Sequence, residues 1–230
     1  MTTPLKSIVL AIGLSIVPSF VAAQTTSAPA AKPAFTDAQM QDGLRSGLTT
    51  LATQAIKAGS IKVPTPAFMV KLRADLTANK KADTLDRFES TLESVTRKLE
   101  PMVLDEIRKA IKTAKFKDAG AVLAGGPKAA TEALKAATRS ALEDAVLPGI
   151  RSEITAADLA GKTRAVFTAV NPAGLPDGNR VIVDLDYHIR KAVLDQAFAL
   201  IAKEEAAARA NPALFKGNAI AQKIFEAYKK

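Results

Sequence analysis

Between Thr84 and Ala114 an apolar residue falls on every third or fourth position: Leu85, Phe88, Leu92, Val95, Leu99, Val103, Ile107, Ile111 and Ala114. That spacing follows the 3.6-residue turn of an α-helix and sets aside one face for a core. Similar stripes recur, with Met40, Leu44, Leu48, Leu51 and Ala55 early and Leu185, Ile189, Val193, Ala197, Leu200 and Ile201 late. The chain therefore reads as all-α, a single irregular multi-helix bundle of about seven to nine helices with one or two short extended segments. Alanine is abundant, and it favours helix and lets helices approach closely.

Proline, glycine and capping residues punctuate the stripes. Thr36-Asp37-Ala38-Gln39 fits a capping box at the start of a first helix that stops near Gly59. Ile61 to Pro66 must be extended, because a proline disfavours helix in the residue before it. A helix over 66–78 carries Phe68, Leu72 and Leu76 inward, and Pro101 is expected to break or kink the next one. Asp118 caps a short helix that Gly125-Gly126 ends in a left-handed cap. Pro127 then suits the first turn of a helix running through Leu134, Ala141 and Ala145 to a stop at Pro148-Gly149. Thr155 to Asp158 caps a helix with Leu159, Val166 and Phe167 inward, ending at Asn171-Pro172. Residues 174–184 read as a loop with Val181-Ile182-Val183 extended, and Asp184 as the cap of a long helix ending at Asn211-Pro212. Ile220, Ile224, Phe225 and Tyr228 mark a last helix.

The first 23 residues have a different character. Lys6 precedes an apolar run from Ile8 to Val17, and Val21-Ala22-Ala23 supplies small residues at its exit. This is the pattern of a secretory signal peptide cleaved after Ala23, and the run is far short of the ~20 residues of a membrane span. Residues 24–35 read as a disordered tether and 36–230 as a single helical domain, exported and most simply periplasmic. The chain has no cysteine, so neither a disulfide nor a thiol-linked lipid is available to it. Its net charge of +9 points towards anionic lipid, envelope glycan or an acidic envelope protein. Nucleic acid is not expected, since aromatic stacking residues make up only 5% of the chain.

Reactive constellations are scarce. His188 is the single histidine and no nucleophile elbow accompanies it, so it reads as a surface or helix-end residue. Asp177, Asp184 and Asp186 lack the acidic ladder of a calcium loop, and Glu204-Glu205 read as a solvated helix face. Gly120 with Gly125-Gly126 resembles a phosphate loop, but Pro127 stands where its lysine and hydroxyl should follow. No catalytic residue, metal or cofactor is expected. Two features point to binding. Arg108, Lys112 and Lys115 form a basic stripe at helical spacing, with Lys109 and Lys117 beside it, suited to an anionic surface. Ala- and Leu-rich amphipathic helices could also enclose an acyl chain. The function read from these residues is a non-enzymatic interaction or structural protein, the alternative a carrier of an apolar or amphipathic molecule such as a lipid.

Several short pieces recur in a familiar order: Ile61-x-Val63-Pro64-x-Pro66, Asp118-Ala119, Gly125-Gly126-x-x-Ala129-Ala130-Thr131, Asp186-Tyr187, Lys191-Ala192, Leu194-Asp195 and Asn211-Pro212. From Gly43 to Phe225 the chain resembles family 4197 of the domains of unknown function, a set of exported bacterial proteins. The resemblance implies a helical domain and a signal peptide, and it carries no activity or catalytic residue. The family's helix before Pro101 carries an Asn-Arg pair and a Glu, where this chain has Glu93-Ser94 and Arg97. Glu93 and Arg97 are one helical turn apart and suited to pairing. The departure puts any function of that segment in doubt for this chain.

Overall fold

The computed structural model describes residues 35–170 and 178–229, with side chains over 35–170 and 185–229. The expected leader, nearly all of the tether, and Asn171, Pro172 and Asp177 lie outside the described residues. Among the described residues there are nine α-helices and one 3-10 turn: α1 (Asp37–Ala55), α2 (Ala67–Lys71), α3 (Arg73–Ala78), α4 (Ala82–Thr113), α5 (Ala119–Ala124), α6 (Ala129–Ala156), α7 (Leu159–Val170), α8 (Gly178–Ala210) and α9 (Ala219–Ala227), with the 3-10 turn at Pro212–Leu214. No strand occurs among the described residues, so the all-α bundle expected from the stripes is what forms.

The long helices α4, α6 and α8 are the frame. α6 packs against both α4 and α8, α1 lies on α8 and α4, and α7 lies on α4. The stripe from Leu85 to Ile111 is buried at every expected position, and Phe88 is fully enclosed. The start of α1 is the capping box read from sequence, with the Thr36 hydroxyl accepting from the Gln39 N–H and the Gln39 side chain accepting from the Thr36 N–H. Gly43 and Gly47 sit one turn apart where α1 meets α9. A Cβ on Gly43 would stand 2.3 Å from Ile224 Cδ1, and one on Gly47 3.0 Å from the Phe225 ring. The missing side chains let Phe225 reach Phe215, ring centroids 4.6 Å apart.

Several local expectations fail, each for a physical reason. Neither Pro101 nor Pro148 ends its helix, and both lie inside continuous helix. Both rings are exposed while Val103, Val146 and Ile150 are buried. Each proline frees a carbonyl one turn back, on Arg97 and Asp144, and both of those residues are exposed where water can serve. In α6 the core residues are Leu142 and Val146, with Ala141 and Ala145 exposed. A helix with alanine on several faces gives no unique apolar phase. Phe68 is exposed and stacks on half-buried Phe167, centroids 5.7 Å apart, while Met69 takes the core position. Ile220 is exposed as well.

Helix ends shift too. α1 stops at Ala55, and Thr155 stays within α6. Asp158, at φ 47°, accepts from the Gly161 N–H and caps α7 alone. Helix α8 begins at Gly178, so Val181 to Val183 are helical and Asp184 lies inside the helix rather than at its cap.

The unequal burial of two phenylalanines gives a direct check. Phe88→Ala should lower the urea unfolding free energy by about 3–5 kcal/mol, whereas Phe68→Ala, at an exposed stack, should cost about 0.5–1.5 kcal/mol. Equal losses would contradict the packing described.

Candidate functional site

Helix α4 ends at Thr113, and the chain then runs outside regular structure through 114–116 and turns at Lys117-Asp118 into α5. Side chains of α1 hold this connector. Gln41 Nε2 donates to the Phe116 carbonyl at 2.6 Å, its Oε1 accepts from the Phe116 N–H at 3.1 Å, and Arg45 Nε donates to the Ala114 carbonyl at 2.9 Å. Phe116 is buried while Lys115 and Lys117 on either side of it are exposed.

The basic stripe is therefore not a single helical face. Of the four residues expected to share it, Lys115 lies on the connector beyond the helix. Arg108 turns to Asp105 and donates to the Thr53 hydroxyl of α1 at 3.0 Å. Lys109 pairs with Glu106 at 2.8 Å, and that carboxylate holds its pKa above the ordinary lysine value. Lys112 and Lys115 make no ion pair among the described residues. Exposed Lys57, Lys71, Lys203 and Lys216 share that condition elsewhere on the surface, and exposed Lys117 and Lys128 extend an unpaired basic stretch from the end of α4 to the start of α6. An open groove of about 590 Å³ adjoins it, walled by the connector, α5 and α6, with Phe116, Val122 and Ala133 among its lining and Lys115 and Lys117 at its edge.

The turn between α5 and α6 sets the shape of that groove, and a buried residue fixes it. Glu205 of α8 has no solvent exposure. Its carboxylate accepts from the backbone N–H groups of Ala130 and Thr131 at 3.0 and 2.7 Å, and from the Thr131 hydroxyl at 2.7 Å. These amides lie in the first turn of α6, where no residue of the same helix can serve them. Arg209, one turn along α8, donates to Glu205 and also to the last carbonyls of α5, Leu123 at 2.7 Å and Val122 at 3.1 Å. One ion pair thus caps the end of one helix and the start of the next.

Expectations for this turn change accordingly. Glu205 is not on a solvated face. Gly125 has φ −70° and ψ −170°, extended rather than left-handed, because Arg209 serves the α5 carbonyls that a left-handed cap would have taken. Pro127 precedes α6 instead of opening it. A phosphate seeking the start of α6 would find Glu205 already there.

A second buried carboxylate organises the Ile61 to Pro66 strap. Glu100 accepts from the Gly59 and Ile61 N–H groups at 2.6 and 2.8 Å. Gln196 of α8 accepts from the Lys62 N–H at 2.7 Å and donates back to the Lys62 carbonyl. His188 lies well inside α8, and its Nε2 bonds the Pro64 carbonyl at 2.7 Å, which makes that nitrogen the protonated one. The strap borders a cavity of about 440 Å³ whose acidic residues are Glu89 and Glu93. Glu89 pairs with Arg73 at 2.6 Å, and Glu93 with Arg97 at 2.5 Å and Lys62 at 3.4 Å. Arg97 first, then Lys62, holds the Glu93 carboxyl below its usual range. The pairing expected between Glu93 and Arg97 forms. Among the described residues no group of His, Asp or Glu is placed to hold a metal ion, and no helix is long and apolar enough to cross a membrane.

A family model described as a protein of unknown function (DUF4197) matches residues 34–226. The chain belongs to this family. No curated protein and no solved structure matches it. In this DUF4197 member, sequence reasoning missed Glu205, Arg209 and Glu100 as organising residues. A signal was present: Glu205 falls four residues after Ile201, and Glu100 three before Val103, each at helical spacing from the apolar stripe of its helix.

Glu205→Ala should destabilise the protein by about 3–5 kcal/mol in urea unfolding, since it removes the only carboxylate paired with Arg209 among the described residues and leaves two buried amides without an acceptor. Its half-exposed neighbour should matter little, with Glu204→Ala changing stability by about 0.5 kcal/mol or less. A small loss for Glu205→Ala would contradict the capping role.

Proposed function

We propose that this chain is a non-enzymatic binding protein of the bacterial envelope, exported to the periplasm, which engages anionic lipid through the basic face formed by Lys112, Lys115, Lys117 and Lys128. One observation carries the reading. These lysines lie near one another along the chain and pair with no carboxylate among the described residues, and unlike the unpaired lysines elsewhere on the surface, Lys115 and Lys117 line an apolar groove. Unpaired lysine near an anionic bilayer is worth about 1 kcal/mol per residue. Solvated lysines also serve solubility, and the position of Lys115 and Lys117 beside an apolar groove favours a docking role.

The lack of a chemical role fits the disposition of the acids. Glu89, Glu93, Glu100 and Glu205 are each committed to cations or backbone amides. Acid-base catalysis needs a carboxyl that reaches a substrate proton, and these four are engaged elsewhere. The short apolar run before Ala23 supports export.

Sedimentation with vesicles tests the proposal. The mature protein should bind vesicles containing anionic phospholipid at low salt and release them as salt rises, because the Debye length falls to about 8 Å at physiological ionic strength. Lys112→Gln, Lys115→Gln and Lys117→Gln together should weaken binding on the order of a hundredfold, from about 1 kcal/mol each. Arg108→Gln with Lys109→Gln should have little effect, since both cations are already paired. Equal binding to zwitterionic vesicles, or indifference to the three lysines, would overturn the reading.

A further inference from the structure

The basic face adjoins an apolar recess, and the two together define a more specific ligand. We propose that the groove between the 114–118 connector, α5 and α6 takes the hydrocarbon chain of a single-chain fatty acid, whose carboxylate meets Lys115 and Lys117. The inference rests on the reading of that face as a site for anionic lipid and narrows it to one chain in one groove.

Three observations converge on it. The groove, at about 590 Å³, falls within the ~300–1,000 Å³ of small-molecule sites. Its walls are hydrocarbon, from Phe116, Ala121, Val122, Ala133, Ala136 and Ala137. Ala121, Ala136 and Ala137 are exposed, on surfaces where a helix ordinarily carries polar side chains. Their methyl groups leave a furrow that longer residues would close.

Charge supplies the polarity of the ligand. The polar residues lining the groove are Lys115, Lys117 and Asp118. Asp118 is turned to the first turn of α5, where its Oδ1 accepts from the Ala121 N–H at 2.8 Å. The two lysines carry no such commitment, and they flank buried Phe116 on a connector pinned by Gln41 and Arg45. A hydrocarbon furrow with two unpaired cations beside it complements a molecule with an apolar tail and an anionic head. A cationic amphiphile would leave the lysines unsatisfied.

The groove can be closed without touching the core. Ala121→Phe with Ala137→Phe places rings on two exposed positions of facing walls. Titration calorimetry with myristate, kept below its micelle concentration, should show one-to-one binding to the mature wild-type protein. The double Phe variant should bind at least tenfold more weakly while keeping its affinity for anionic vesicles and its circular dichroism. Lys115→Gln with Lys117→Gln should weaken both myristate and vesicle binding. Dodecyltrimethylammonium, with the opposite head charge, should not bind. Absence of myristate binding by the wild type, or myristate binding unchanged in the double Phe variant, would overturn the groove. Retained vesicle binding in that event would leave the basic face standing, and loss of both would remove the two readings together.

Discussion

The carboxylate of Glu205 accepts four hydrogen bonds in the interior, from two amides of α6, the Thr131 hydroxyl and the Arg209 guanidinium. A carboxylate stripped of water is tolerable only when its oxygens are paired and bonded this fully. The arrangement also places negative charge at the positive end of the α6 dipole. An ordinary N-cap side chain contributes ~1 kcal/mol, whereas breaking this pair costs several times more. Arg209 extends the effect outward. It holds the end of α5 through two carbonyls and lies over the Phe225 ring, 5.2 Å from its centroid, which ties α9 to the same point. The α5–α6 turn, and with it the groove, therefore takes its shape from a residue more than 70 positions away in sequence.

Glu100 acts in the same way on a segment that has no secondary structure to satisfy its backbone. The strap before Pro66 makes no helix or ladder, so each buried polar group must find a side chain. Glu100 serves two amides, Gln196 an amide and a carbonyl, and His188 another carbonyl. The two prolines hold the strap extended, and α4 and α8 supply the partners. In both places a charged side chain in the buried register of a long helix does what local capping residues usually do.

This division explains what was legible in the sequence. Leu85 to Ile111 could be read directly, because bulky apolar residues recur at helical spacing with polar ones between them. The α1 capping box was equally plain, since its partners are three residues apart. Ala141 and Ala145 were misplaced because alanine marks no face, and the true stripe of Leu142 and Val146 competes with neighbours of similar character. Pro101 and Pro148 looked like breaks because the rule for proline is local, whereas the exposure of their rings depends on which way the bundle turns each helix. Glu205 was read with Glu204 as solvated because its partners, Ala130 and Thr131, are distant in sequence. The basic stripe was half legible. The charges were visible, and so in principle were the local partners Asp105 and Glu106 three residues before Arg108 and Lys109, but the end of α4 at Thr113 and the bond from Arg108 to Thr53 depend on how α1 packs there.

Amide hydrogen exchange at Ala130 and Thr131 tests the central claim most directly. The first amides of a helix normally lack acceptors and exchange quickly. If Glu205 caps α6 from the interior, both amides should be protected to the same degree as Leu134 and Thr138 in the body of that helix. Exchange at the rate of a frayed helix end, in a protein whose α6 interior remains protected, would contradict the account.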